Sequence, residues 1–223
     1  MTQPRARRWP TRTPTQVLAD RVRRYRDAHG WSARELAQRC TEAGVPLDRS
    51  VIANLENGRR VSVSVQELLT LAHVLSIPPV LLFLPVGEDY RVQVTPGVVL
   101  APDAAVRWFC GEAMMPGDPS PGIWQRFARP LHLYRQLDDA HAERWNAESA
   151  VRRAIAASEE EQRQALESYA VALVNVATVL SAMVEDGMTV PPLKDYNARD
   201  MVKLGVTLPP GVPLLATNER QLV

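Results

Sequence analysis

The stretch SARELAQRCTEAGVPLDRSVIANLENGRR, residues 32–60, decides how the front of this chain is read. Ser32 followed by Glu35 is a capping box, in which each residue satisfies a backbone N–H of the helix start, and Leu36, Ala37 and Cys40 then share one inward face. Gly44 and Pro46 end this helix, because glycine accepts the left-handed cap and proline cannot continue the hydrogen-bond ladder. Asp48 is placed to cap a second short helix that stops at Asn57-Gly58, with Ile52 and Leu55 on its inner side. Arg59 and Arg60 follow at once.

The same punctuation continues on both sides. TPTQVLADRVRRYRDAHG, residues 13–30, sets a Thr before and a Gly after a helical pattern of Val17, Leu18, Val22 and Tyr25. Ser64 with Glu67 opens a fourth helix in SVQELLTLAHVLSI, and PPVLLFLP supplies a proline-started fifth. Beyond Pro85, alternation of Tyr90, Val92 and Val94 before a Pro-Gly turn predicts a small β-hairpin, and PDAAVRWFCGE predicts a short helix capped by Asp103. MMPGDPSPG reads as a hinge, after which residues 123–186 read as nearly continuous helix with a kink at Pro130. Leu166, Tyr169, Leu173, Val176, Leu180 and Met183 step by 3, 4, 3, 4 and 3, the spacing of a coiled-coil seam. The partner of that seam is either residues 131–157 folded back, with Ser158 and Glu161 capping the return helix, or a second chain. The resulting division is a basic flexible arm over 1–13, a helical domain over 14–85, a hairpin, short helix and hinge over 86–122, a long helical region for dimerisation or partner binding over 123–188, and an irregular tail over 189–223.

Charge separates the two ends. Residues 1–60 carry 13 Arg against 6 Asp plus Glu, while the remainder carries 13 basic against 19 acidic residues. A basic front and an acidic back point to a polyanion as the partner of the first sixty residues. Cys40 and Cys110 lack any metal or disulfide spacing, which indicates a cytoplasmic chain. The basic N-terminus is followed by no apolar signal core, and the apolar run Tyr169–Val184 is short of a membrane span and interrupted by Asn175, Thr178 and Ser181, so no membrane is expected.

Two capped helices joined by a turn make a helix-turn-helix, whose first helix crosses a DNA backbone and whose second lies in the major groove. RELAQR, SVIANLENGRR and VSVQELLTLAHVLSIPP together resemble the phage-repressor-like, or XRE-type, helix-turn-helix regulators over about residues 14–85. The resemblance implies a five-helix lambda-repressor-like domain within a mainly α chain. It also implies base contacts from the third helix, falling on Arg49, Ser50 and Asn54, with Val51 able either to touch a thymine methyl or to pack inward. The chemistry suits them: Arg bonds guanine O6 and N7, Asn bonds adenine N6 and N7, and Ser serves base or phosphate. Ser32, Arg34, Arg59 and Arg60 are the phosphate candidates. By the same resemblance Arg26 pairs with Glu56 as structural support. One departure from the family is a longer turn between the two central helices. Arg5, Arg7, Arg8 and Arg12 form an arm able to enter a minor groove or to stay solvated.

No Ser/His/Asp set, phosphate-cradling loop or paired-carboxylate site is present in the sequence, and His29, His73, His132 and His141 are scattered, so no enzyme, cofactor or metal is expected. Trp108, Phe109 and Trp124 are candidates to line an effector pocket or to form core. The reading is therefore a DNA-binding transcription regulator, with repression as its sign and a homodimer as its form, acting on double-stranded DNA. Its rival is an antitoxin-like or mobile-element accessory protein whose C-terminal helices hold a protein partner.

Overall fold

A computed structural model of the chain describes residues 10–215. The chain forms two compact units divided between Pro116 and Gly117, inside the proline and glycine loop.

The first unit begins with β1 (Thr11–Arg12), then α1 (Pro14–Ala28), α2 (Ala33–Glu42), α3 (Arg49–Glu56), α4 (Val65–Val74) and α5 (Val80–Phe83). Reciprocal capping boxes start three of these helices: Thr13 with Gln16, Ser32 with Glu35 and Ser64 with Glu67. Asp48 takes the extended cap conformation before α3, but its side chain makes no capping hydrogen bond. Gly44 (φ +93°) and Gly58 (φ +66°) end α2 and α3 in the left-handed region, where a side chain is strained. The longer turn is absorbed partly by α2, which runs on to Glu42. Leu36, Cys40, Ile52, Leu55, Leu71 and Leu82 fill an apolar core between the five helices. Burial pushes the Cys40 thiol up to about 11.

β2 (Arg91–Thr95) and β3 (Val98–Leu100) form the antiparallel hairpin, with an irregular register between Gln93 and Thr95. β1 adds to its edge in parallel, Thr11 opposite Arg91 and Arg12 opposite Val92. Two residues read as flexible arm are thus a strand: Arg12 is ion-paired with Asp20 and lies 4.7 Å above the Tyr90 ring. Arg5, Arg7 and Arg8 lie outside the described residues. α6 (Pro102–Phe109) is preceded by Ala101 at the cap position, so Asp103 sits in the first turn rather than at the cap. Ala105 of α6 joins Leu84, Val92 and Leu100 in a small second core. Trp108 packs against that core, whereas Phe109 meets Phe83 edge-on at 4.8 Å and stays 53% exposed.

The second unit is a helical hairpin of α7 (Pro121–Arg153) and α8 (Glu159–Glu185), joined by a 3-10 turn at Ala154–Ala156. The nearly continuous helix is broken at residues 154–158, where Ser158 and Glu161 form the capping box that starts α8, as in the folded-back alternative. Tyr169, Leu173, Val176, Leu180 and Met183 are buried in one core with Leu133, Leu137 and Ala140 of α7. Leu166 is 42% exposed and stands outside that core. By length and composition α8 could cross a membrane, yet its apolar stripe is covered by α7.

Over residues 189–215 the tail is not irregular, and residues 216–223 lie outside the described residues. After α8 come β4 (Leu193–Lys194), α9 (Asp195–Lys203) and β5 (Leu214–Leu215), with β4 and β5 parallel. Val190, Leu193, Ala198 and Met201 are buried in the hairpin core, which gives this segment the apolar burial that orders it. Polar groups bind α9 as well: the Tyr169 hydroxyl donates to Asp200 at 2.9 Å, and burial together with that bond pushes the phenol up to about 12.

Candidate nucleic-acid interface

α3 carries opposite chemistry on its two sides because 3.6 residues per turn separate them. Ile52, Leu55 and Glu56 are buried, while Arg49, Ser50 and Asn54 are exposed together. Val51 is half-buried and packs against the five-helix core, which is the packing alternative for that residue.

A buried ion pair sets the attitude of α3. Arg26 of α1 donates from Nε to one Glu56 carboxylate oxygen at 2.6 Å and from Nη2 to the other at 2.8 Å, and its Nη1 donates to the Trp31 carbonyl at 2.6 Å. The Glu56 bond raises the Arg26 pKa, with burial opposing it. Two parallel bonds fix angle as well as distance, so α3 cannot roll against α1 without breaking one. Arg23 adds a bond from Nη2 to Asn57 Oδ1 at 3.3 Å, at the end of the same helix.

The phosphate candidates divide. Ser32 is exposed at the start of α2, but its Oγ accepts from Glu35 N–H at 3.2 Å and its own N–H donates to the Glu35 carboxylate at 2.7 Å. That backbone bond from Ser32 holds Glu35 below the usual carboxylate range. A carboxylate therefore already serves this helix N-terminus, and the hydroxyl proton of Ser32 with the backbone N–H groups of Ala33 and Arg34 is what remains to offer a phosphate. Arg34 and Arg59 are exposed, and neither has a carboxylate partner among the described residues. Arg60 has one: its guanidinium donates to both Glu67 oxygens, at 2.8 and 3.2 Å. Glu67 also accepts from the Ser64 N–H at 2.8 Å, so Arg60 ties the loop after α3 to the start of α4. The Arg60 bond is the main reason that Glu67 sits below the usual range.

Pairing also reduces the basic character of α1. Arg21 is buried, donates to the Val86 carbonyl at 2.8 Å and lies 3.2 Å from Glu88, which Arg24 reaches at 3.0 Å. Arg39 escaped the reading of the sequence. Its guanidinium lies 4.1 Å above the Trp31 ring, whose other neighbour is His29, stacked at 4.2 Å with 12° between planes. The spacing of eight residues between Trp31 and Arg39 carries no local signal, though a Trp directly before a capping Ser marks where such a stack can form.

Among the described residues no group of three or more His, Cys, Asp or Glu side chains could hold a metal. No curated protein matches the chain, and no solved structure does. The family described as a helix-turn-helix domain matches residues 17–82. With α1 to α5 spanning that segment, this part of the chain is a helix-turn-helix domain.

Proposed function

We propose that the chain is a sequence-specific, cytoplasmic transcription regulator that reads the major groove with α3 and acts as a repressor. The observation that carries this is the exposed set Arg49, Ser50 and Asn54 on a helix whose opposite side is locked to α1 through Arg26 and Glu56. Arg34 and Arg59 supply phosphate contacts, with Ser32 as a hydroxyl donor. Repression is the simpler sign, since occupying a promoter requires no further contact. Selection from random duplex DNA at one stated salt concentration tests the reading. The wild type enriches a motif, and Arg49→Ala with Asn54→Ala abolishes it while salt-sensitive binding persists, each bidentate pair being worth ~1–3 kcal/mol of discrimination. Enrichment of nothing by the wild type overturns it.

Homodimerisation is part of the proposal, on a surface other than the 166–183 seam, most of which is covered within the chain. Ile123, Phe127, Leu131 and Tyr134 lie at helical spacing on α7 and are exposed, Phe127 by 74%. Such a stripe suits a second copy, and it is also what the rival, a protein-partner module, would use. Phe127→Glu is expected to convert a dimer to monomer by light scattering; a wild type that is already monomeric removes the dimer from the proposal.

A further inference from the structure

α8 presents a second apolar face. From Ser168 to Val184 the helix carries no charged residue, although only one side of it enters the core with Leu173, Val176, Leu180 and Met183. A surface helix normally turns charged and polar side chains away from its core. Here Val171 is 60% exposed and Val174 46% exposed instead. They line a groove of about 720 Å³ whose far wall is Leu204, Val206 and Leu208. Leu166, which stands outside the core, lines a hollow that continues the groove toward the start of α8.

The order of residues along this face decides what can cover it. At about 100° per residue, Arg163, Glu167, Ala170, Thr178, Ser181 and Glu185 all fall within about 40° of Val174. Residues equally far before and after Val174 are complementary: Arg163 matches Glu185, Glu167 matches Ser181, and Ala170 matches Thr178. Two copies of α8 laid antiparallel across a twofold axis at Val174 therefore set each Arg163 against the partner's Glu185 and bring each Ser181 hydroxyl to the partner's Glu167, with small side chains between them. A parallel alignment would instead oppose Arg163 to its own copy. Within the chain Arg163 is paired with exposed Glu160 one turn before it, an arrangement that an approaching carboxylate can share.

We propose that a second copy of the chain covers this face, through an antiparallel, twofold-symmetric pairing of α8 about Val174. The middle of the face is Ala, Ser, Thr and Val, with less apolar bulk than Ile123 and Phe127 bring to the α7 stripe, so this pairing is the weaker of the two, with Kd between ~1 µM and ~1 mM. Joining two dimers of the kind proposed above, a step that rests on that dimer, it makes a tetramer; the pairing itself does not need the α7 stripe. Sedimentation equilibrium of the full chain in the Phe127→Glu background separates the two. That variant, monomeric at dilution, dimerises reversibly as its concentration rises, and adding Val174→Glu at this half-exposed position abolishes the association. Glu185→Arg weakens it about tenfold over the two symmetric contacts, and Arg163→Glu combined with Glu185→Arg restores it. A dimer that survives Phe127→Glu at dilution but is lost with Val174→Glu removes the α7 stripe and upholds this face. A Phe127→Glu variant still monomeric near ~1 mM overturns the inference, as does association indifferent to Val174→Glu or left unrestored by the double charge reversal. Binding to phosphatidylcholine vesicles that Val174→Glu abolishes overturns it as well, since a bilayer would then be the occupant.

Discussion

Among the described residues each unit buries two polar side chains, Arg21 and Glu56 in the first and Arg144 and Asn197 in the second, and the two differ in how fully these are satisfied. The N-terminal unit keeps an apolar core, clamps its inward arginines in pairs such as Arg26–Glu56 and Arg60–Glu67, and leaves Arg49, Ser50 and Asn54 outside. The C-terminal unit draws Arg144 and Asn197 inside and leaves Phe127 and its neighbours on α7 in solvent. In the first, the buried charges are met within the unit, Glu56 by Arg26 and Arg21 by the Val86 carbonyl. The second leaves Arg144 Nε and Asn197 Oδ1 buried without a hydrogen-bond partner among the described residues.

The largest test of this contrast is Arg26→Met. Glu56 would remain as a buried charge with only Arg23, 3.7 Å away, to answer it, and breaking such a pair costs about 3–5 kcal/mol. Chemical denaturation of the full chain should show that loss, and adding Glu56→Leu should recover most of it. Recovery would mean that the clamp supplies orientation more than stability.

Next in size, Leu173→Ala opens a cavity where the side chain is fully buried and should cost about 2–5 kcal/mol in the unfolding of the hairpin, followed by far-UV circular dichroism. DNA affinity at temperatures below that transition should stay within twofold, roughly 0.4 kcal/mol. A large fall in affinity would show that the units are energetically coupled and would break the comparison. Ser158→Ala, which removes the cap of α8, should cost about 1 kcal/mol in the same transition.

The smallest effect is on acid stability. Glu67 and Glu35 are held below the ordinary carboxylate value, so each contributes stability that is present above the unfolded value of about 4.3 and is lost as pH falls through its lower folded value. An acid titration of the wild type should therefore lose stability below about pH 4.3, and Glu67→Gln should flatten part of that slope.

These expectations also mark what could be read in advance. Helices α1 to α5 announced themselves because their signals are local: Ser32 and Glu35, or Ser64 and Glu67, sit three residues apart, and Gly44 and Gly58 stand where a helix must stop. The two-residue strand β1 had no such signal, since its order comes from pairing with Arg91 and Val92, far along the chain. α9 was hidden for a related reason. It lies between proline runs, has no side-chain cap, and owes its place to Ala198 and Met201 entering a core built by other helices. In the candidate interface, the exposed face of α3 followed from helical periodicity once the motif was recognised. The engagement of Arg60 by Glu67 did not, because a bond across seven residues and a loop follows neither helical nor strand spacing.

The sandwich of His29, Trp31 and Arg39 gives the molecule an optical handle. Indole emission responds to charge held against the ring, and Trp31 immediately precedes Ser32, the residue that opens α2. Any anion that draws Arg39 away from Trp31 would change the colour and yield of that emission. With Trp9, Trp108, Trp124 and Trp145 replaced by Phe, Trp31 would stand as a built-in lamp beside the proposed phosphate contacts, able to report occupancy without a label.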